Sequence, residues 1–328
     1  MYTLNLLSHM RLLADAANSA GVHAEFDFET LRVEVSAAGR YFDLEPEFIS
    51  APERAELGYT SRVTADSIAF RGWRPSPAKH WEAGADKRLF KEFCARNDLR
   101  TPRAYLQPGE AATTVIIKEL HRKGPRGDIR GPFAVRDVPA DLLGPHSGFF
   151  AEDYIQGDLI RAAYWDGQLA SVEIRKKPCV NGDGRSTVRE LIECNCGPLG
   201  RFDWNVPANV VRLQGSSLEA VLPPEKSLIV DIDFWSALHP LTLDDQNVLG
   251  SIAGTSLHQQ LLRAGPIFWR RLPADIRQHT ALHVYVVADA EQRAWFIDVD
   301  VDPYVVPHAY VPMLRSLFGI DTPAEAAN

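Results

Sequence analysis

The chain has 328 residues, 45% of them hydrophobic and 24% charged, which suits a globular protein of more than one lobe. Its formal net charge of -8 argues against a general nucleic-acid or membrane-surface binder. Its four cysteines (Cys94, Cys179, Cys194 and Cys196) lack paired zinc-ligand spacing and are too few for a disulfide scaffold, so a reduced, cytoplasmic protein is expected.

The opening "MYTLNLLSHMRLLADAANSAG" has charges inside its apolar part. With Leu4, Leu7, Met10, Leu12 and Leu13 it predicts an amphipathic helix, not a signal peptide or membrane span. Two alternating stretches containing Val33, Val35, Tyr41 and Asp43 flank "SAAGR" and predict a β-hairpin. No Gly-x-Gly-x-x-Gly occurs in the first eighty residues, so they carry no dinucleotide signal. "RGWRPSPAKHWEAG", with Pro75 and Pro77, reads as a linker or domain edge.

Leu89, Phe90, Phe93 and Cys94 then form an apolar stripe at helical spacing, and "NDLRTP" ends that helix. The β-branched "TTVIIKEL" predicts a strand, followed by the basic loop "HRKGPRGDIRGPF", a short helix near residues 137–143 and a strand in "GFFAEDYIQG". Asp166-Gly167 marks the turn of the next hairpin. Thr187 and Glu190 form a capping box that starts a helix. Residues 195–240 show no readable period, 244–264 suggest a long helix, and a last hairpin turns at "ADAEQR". The pattern is α+β, with antiparallel sheets and their loops around a cleft.

Four clusters carry chemistry. Lys118 ends its strand before a loop with Gly124, Gly127 and Gly131; such a loop can bring backbone N–H groups to phosphate oxygens, and a solvated surface loop is the alternative. Lys87 sits in a first helical turn, where the helix dipole favours Asp86 instead, so it either faces an anion or is merely solvated. Arg161, Arg175, Lys176 and Lys177 gather at one hairpin, with Arg175 and Lys177 on one face and Lys176 on the other. In "WFIDVDVDPYVVPH", Asp298 and Asp300 stand about 6.6 Å apart on one strand face, close enough to lean toward one Mg²⁺. Ile297, Val299 and Val301 are expected to bury the opposite face, and a solvated edge is the alternative.

In this order the motifs resemble the ATP-grasp superfamily, particularly carboxylate–amine ligases related to cyanophycin synthetase and glutathione-type ligases. Residues 149–193, "FFAEDYIQGDLIRAAYWDGQLASVEIRKKPCVNGDGRSTVRELIE", resemble that group's acidic hinge, glycine, arginine, hairpin, basic pair and helix start. "DKRLFKEFCARNDLRTPRAY" is similar to its opening helix and "VIIKEL" to its phosphate-contacting strand. The resemblance runs from about residue 85 onward and is weakest over 195–280.

It implies an ATP-grasp fold, with two α+β lobes and antiparallel sheets clamping ATP. Residues 1–80 would form an N-terminal α/β substrate-side domain, 81–155 the central subdomain and 156–328 the C-terminal catalytic subdomain. Lys87 and Lys118 would contact ATP phosphates under a loop running from Lys123 to Gly131. Glu152, Asp153, Tyr154 and Ile155 would line adenine, largely through backbone groups, and Asp158 would meet the ribose. Arg161 and Arg175 would hold the γ-phosphate or an acyl phosphate, assisted by Lys176 or Lys177. Asp298 and Asp300 match the family's metal pair, taking Mg²⁺ or Mn²⁺, although the family pattern there is Glu and Asn. His283 stands near a position that often supplies another metal-binding acid, and Asp158 comes one residue earlier than the family's acid after the glycine.

The expected activity is an ATP-dependent carbon–nitrogen ligation joining a small-molecule or peptide carboxylate to an amine. No nucleic-acid or membrane partner is expected, and family habit suggests a homodimer. A kinase on the same fold, or a degenerate nucleotide-binding module that recognises a partner, are the alternatives.

Overall fold

The computed structural model describes residues 2–50, 58–105, 114–121, 129–139, 142–144, 147–195, 204–233, 236 and 247–320. The chain opens with helix α1 (Tyr2–Ala20), then strands β1 (His23–Phe26), β2 (Val33–Ala37), β3 (Arg40–Ser50), β4 (Gly58–Thr60) and β5 (Ser67–Pro75). These strands form one antiparallel sheet in which β3 pairs with β2, β4 and β5. Its alternation drives Val33, Val35, Leu44, Phe48, Phe70 and Trp73 to one side, where α1 and the late helix α7 (Tyr310–Phe318) cover them. Within α1 it is Leu6 and Leu13 that are buried, whereas Leu7 is 56% exposed. Arg71 to Pro75 also differ from the expected linker: they lie in strand β5, with Gly72 to Pro75 in register with β3 and Trp73 in the core, and the connection begins only at Ser76.

Helices α2 (Glu82–Ala85) and α3 (Lys87–Arg96) follow, then a second antiparallel sheet in the order β6 (Ala104–Tyr105), β9 (Phe149–Asp153), β7 (Thr114–Glu119), β8 (Ile129–Ala134). Asp86 caps α3, its carboxylate accepting from the N–H groups of Arg88 and Leu89. The buried stripe of α3 is Lys87, Phe90, Lys91 and Cys94; Leu89 lies outside it. Near residue 137 the chain makes a 3₁₀ turn, Val135–Asp137, not the expected longer helix.

The third sheet has the order β11 (Gln168–Arg175), β10 (Asp158–Trp165), β14 (Ala281–Ala288), β15 (Ala294–Val301), again antiparallel. Its first hairpin turns at Asp166 and Gly167, both at positive φ, as a two-residue turn requires. One face packs on α3 and on α6 (Ser256–Arg271), where Phe268 stacks against Phe90 and Phe93. That helix was expected from near 244, where residues 244–246 lie outside the described residues; residues 247–255 precede it without helix, and Thr255 caps it by accepting from His258 N–H. The other face meets the N-terminal sheet through Ala163, Trp165 and Ala281.

A small layer of β12 (Cys179–Asn181), α4 (Val188–Asn195), α5 (Asn205–Leu213) and β13 (Ser227–Ile229) lies beside the second sheet. The Thr187–Glu190 capping box starts α4, with Thr187 N–H donating to Glu190 at 2.7 Å and Glu190 N–H donating to Thr187 at 3.2 Å. Among the described residues, no helix is long and apolar enough to cross a membrane.

Candidate functional site

The second and third sheets face one another across a cleft of about 930 Å³, counted with its open mouth. In β7, Val115 and Ile117 point into a small core with Tyr105 and Ala151, so Ile116 and Lys118 point the other way, into the cleft. In β9, Glu152 shares that cleft side, and the chain leaves the strand through Asp153, Tyr154 and Ile155, all lining the cleft. Leu159 and Val287 supply an apolar floor from the third sheet, and Ile232 comes from the stretch whose sequence shows no period. Among the described residues, neither backbone polar group of Ile155 has a hydrogen-bond partner, which leaves one donor and one acceptor at the apolar end. Gly157 follows where the chain crosses β14: a Cβ there would stand 2.0 Å from the Ala288 carbonyl oxygen.

Three ammonium groups reach the cleft. Lys87 is tied down at the start of α3, its Nζ donating to the Glu119 carbonyl at 3.0 Å. Lys118 Nζ lies 2.6 Å from Glu152 Oε1, and Lys91 Nζ lies 2.5 Å from Glu152 Oε2. Glu152 is 1% exposed. Burial acts to raise its carboxyl, but the two ammonium charges outweigh burial and hold it below the ordinary carboxylate range. The expected contribution of Glu152 through its backbone is therefore joined by a side-chain role as the anion that fixes Lys118. Lys91 was not among the candidates; its signal is a charge one helical turn after Lys87, inside the stripe of Phe90 and Cys94. Lys177 Nζ donates to Tyr154 Oη at 3.0 Å and sits over that ring. Burial pulls its pKa down to about 8, partly opposed by Asp158.

Asp298 lines the same cleft, so the late acidic strand and Lys118 share one cavity. A bulge in β15, where the register to β14 shifts between Tyr285 and Val286, alters the strand's alternation. Val299 and Val301 pack on the core beneath the sheet as expected, but Ile297 packs with Leu159, Tyr285 and Val287 on the cleft side. Asp300 Oδ2 accepts from Tyr285 Oη at 2.9 Å and lines a neighbouring pocket, not the cleft itself.

The remaining candidates lie elsewhere. Arg161 is buried against Glu173, 2.6 Å away, and donates to Tyr304 Oη. Arg175 holds the other Glu173 oxygen at 2.6 Å. Lys176 and Asp158 are exposed, and neither they nor the two arginines line the cleft. His283 is buried edge-to-face against Tyr304, 4.9 Å between ring centres. Of the loop from Lys123 to Gly131, residues 123–128 lie outside the described residues. Asp233 also lines the cleft and was not foreseen.

No protein-family model matches the chain, and no curated protein matches it. Among solved structures it is similar to a bifunctional glutathione synthetase from Pasteurella multocida, with 12% identity, 95% of this chain and 43% of that one covered, and a TM-score of 0.46. It is also similar to D-alanine–D-alanine ligase from Bacillus anthracis, with 12% identity, coverage of 72% and 66%, and a TM-score of 0.38. The ATP-grasp ligase PsnB, complexed with a precursor peptide and AMPPNP, gives 11% identity, coverage of 73% and 59%, and a TM-score of 0.37. The chain thus spans less than two thirds of the length of each of these structures, which it resembles in its α+β architecture.

Proposed function

We propose that this chain is an ATP- and Mg²⁺-dependent carboxylate–amine ligase that forms an amide through an acyl phosphate. The observation that carries this reading is the presence of Lys118 and Asp298 in one cleft with the Glu152–Ile155 segment. Adenine would lie between the apolar walls, with its edge on the free backbone groups of Ile155. Lys87, Lys118 and Lys177 would face the phosphates, where charge neutralisation and alignment do most of the catalytic work.

The donor set fits a hard divalent cation. Among the described residues no group of three or more His, Cys, Asp or Glu could hold a metal by itself. Asp298, which lines the cleft while Asp300 lines the neighbouring pocket, would hold an ion whose other ligands are phosphate oxygens and water, the habit of Mg²⁺, and Mn²⁺ accepts the same oxygen donors. The metal would supply positive charge to the phosphoryl group in transfer.

The reaction would run in two displacements. A substrate carboxylate oxygen attacks the γ-phosphorus, the bond to the β-phosphate oxygen breaks, and ADP leaves. The amine nitrogen then attacks the acyl carbon, the bond from carbon to the phosphate oxygen breaks, and phosphate leaves while the amine proton passes to solvent. Arg175 is the arginine assigned to the acyl phosphate, since its register partner Leu159 lines the cleft and its own side chain is only partly buried. Arg161, tied to Glu173 and Tyr304, would act by positioning Glu173.

A phosphate-release assay over paired amino acids, short peptides and polyamines, read out by mass spectrometry, tests this. The ligase reading expects a product equal to two substrates minus water. A single substrate gaining phosphate would replace it with a kinase.

A further inference from the structure

Lys118 and Glu152 line the cleft, whereas Lys91, in the buried stripe of α3, is not among the lining residues. All three are almost withdrawn from water: Lys91 is 6% exposed, Lys118 4% and Glu152 1%. Two ammonium groups meet one carboxylate here, so the cluster carries one positive charge that it does not itself neutralise. Resting on the ligase reading, we propose that Lys91 is a positioning residue for ATP: it is the standing counter-ion of Glu152, and so leaves the charge of Lys118 uncancelled for the phosphate chain.

The surroundings of Lys91 are those of an ammonium. Besides Glu152 Oε2 at 2.5 Å, its Nζ donates to the Pro102 carbonyl at 3.3 Å and to Thr101 Oγ1 at 3.4 Å. It also lies over the Phe150 ring, 5.8 Å from its centre. Three donors thus meet three oxygen atoms beside an aromatic face, whereas a neutral amine would turn a lone pair toward one of those oxygens. Burial pulls the Lys91 pKa below its ordinary value and Lys118 adds to that pull, while Glu152 opposes both.

The sign of the cluster sets what a triphosphate meets. Without Lys91, Glu152 and Lys118 would cancel one another, and a phosphate approaching Lys118 would also approach a buried carboxylate that has only that one counter-ion. With Lys91 in place the carboxylate is already matched. An ammonium has three donors, so Lys118 can keep its contact with Glu152 and still turn a donor to a phosphate oxygen. Lys91 therefore acts through Glu152, without touching the nucleotide. The same logic makes its loss reversible: neutralising Glu152 in a chain that lacks the Lys91 charge leaves Lys118 alone, again with one uncancelled positive charge.

Titration of the full chain with a non-hydrolysable ATP analogue in Mg²⁺ tests the assignment on wild type, on Lys91→Gln and on Lys91→Gln combined with Glu152→Gln. Glutamine keeps a hydrogen-bond donor toward Glu152 and removes the charge. Lys91→Gln should weaken the analogue at least about tenfold. The double variant should return to within about threefold of wild type, a coupling that a double-mutant cycle reads directly. A merely structural Lys91 gives a double variant at least as weak as the single one, and that result would overturn the assignment. Should the double variant not fold, Lys91→Gln still decides when adenosine is compared with the analogue, by displacement of a fluorescent ATP derivative. Adenosine, which has no phosphate, should bind as it does to wild type, and an equal loss for both ligands would refute the role. A wild-type chain that does not bind the analogue would sink the ligase reading and this assignment with it. Wild-type binding that Lys91→Gln leaves unchanged would sink the assignment alone.

Discussion

Glu152 Oε1 lies 2.6 Å from Lys118 Nζ, at a point where the carboxylate is almost wholly removed from water. Lys91 holds the other oxygen, so one anion is shared by two cations and the Lys118 side chain is fixed before any nucleotide arrives. Breaking such an arrangement strands buried charge, which costs far more than removing a surface pair. Glu152→Gln should therefore lower unfolding free energy by about 3–5 kcal/mol, measured by chemical denaturation. A loss below about 1 kcal/mol would mean that the pair is solvated in solution.

Lys118→Ala and Asp298→Asn should each abolish ATP-dependent product formation, by a factor on the order of 10² or more, while circular dichroism still reports the wild-type fold. They come from opposite sheets, and the account requires both to act on one phosphate chain. Wild-type turnover in either variant would remove the cleft from the chemistry.

How much of this was legible in the sequence depends on which physical signal each part leaves. The hairpins at Asp166-Gly167 and "ADAEQR" and the capping box at Thr187 were readable because turn chemistry and caps are local. Lys87, Lys118 and Asp298, singled out as charges in or beside apolar elements, line the cleft, as does the 152–155 segment to which the resemblance pointed. Lys91 was missed because a lysine inside a helical stripe looks solvated until its partner, 61 residues away in sequence, is known. Ile297 was placed on the wrong face because a bulge in one strand leaves no mark on simple alternation. The stretch from Arg71 to Pro75 reads as a linker because of its prolines, yet it belongs to strand β5.

Lys177 should make nucleotide affinity depend on pH. Burial lowers its pKa to about 8, so it is charged below that value and neutral above it. Affinity for the Mg²⁺-bound ATP analogue should fall as pH rises through about 8, and Lys177→Met should flatten that fall. A fall of the same size in the variant would assign it to another group.

Asp302 should cost the free protein stability near neutrality. Burial raises its pKa from 3.8 to about 6, and although Lys79 N–H donates to Oδ2 at 3.0 Å, Oδ1 has no partner among the described residues. Below about pH 4 the carboxyl is neutral in both the folded and the unfolded state, so it carries no penalty. Through the window up to about 6 the unfolded chain ionises first, and the penalty reaches about 2–3 kcal/mol above it. Asp302→Asn should therefore stabilise the protein at pH 8 and leave it unchanged near pH 4. A variant less stable than wild type at both values would refute the sign.

The most direct test of the shared cleft is calorimetric titration of the intact chain with a non-hydrolysable ATP analogue, in Mg²⁺ and in EDTA. The account predicts one site that needs Mg²⁺, weakened by both Lys118→Ala and Asp298→Asn. No binding in Mg²⁺, or binding indifferent to both substitutions, would contradict it.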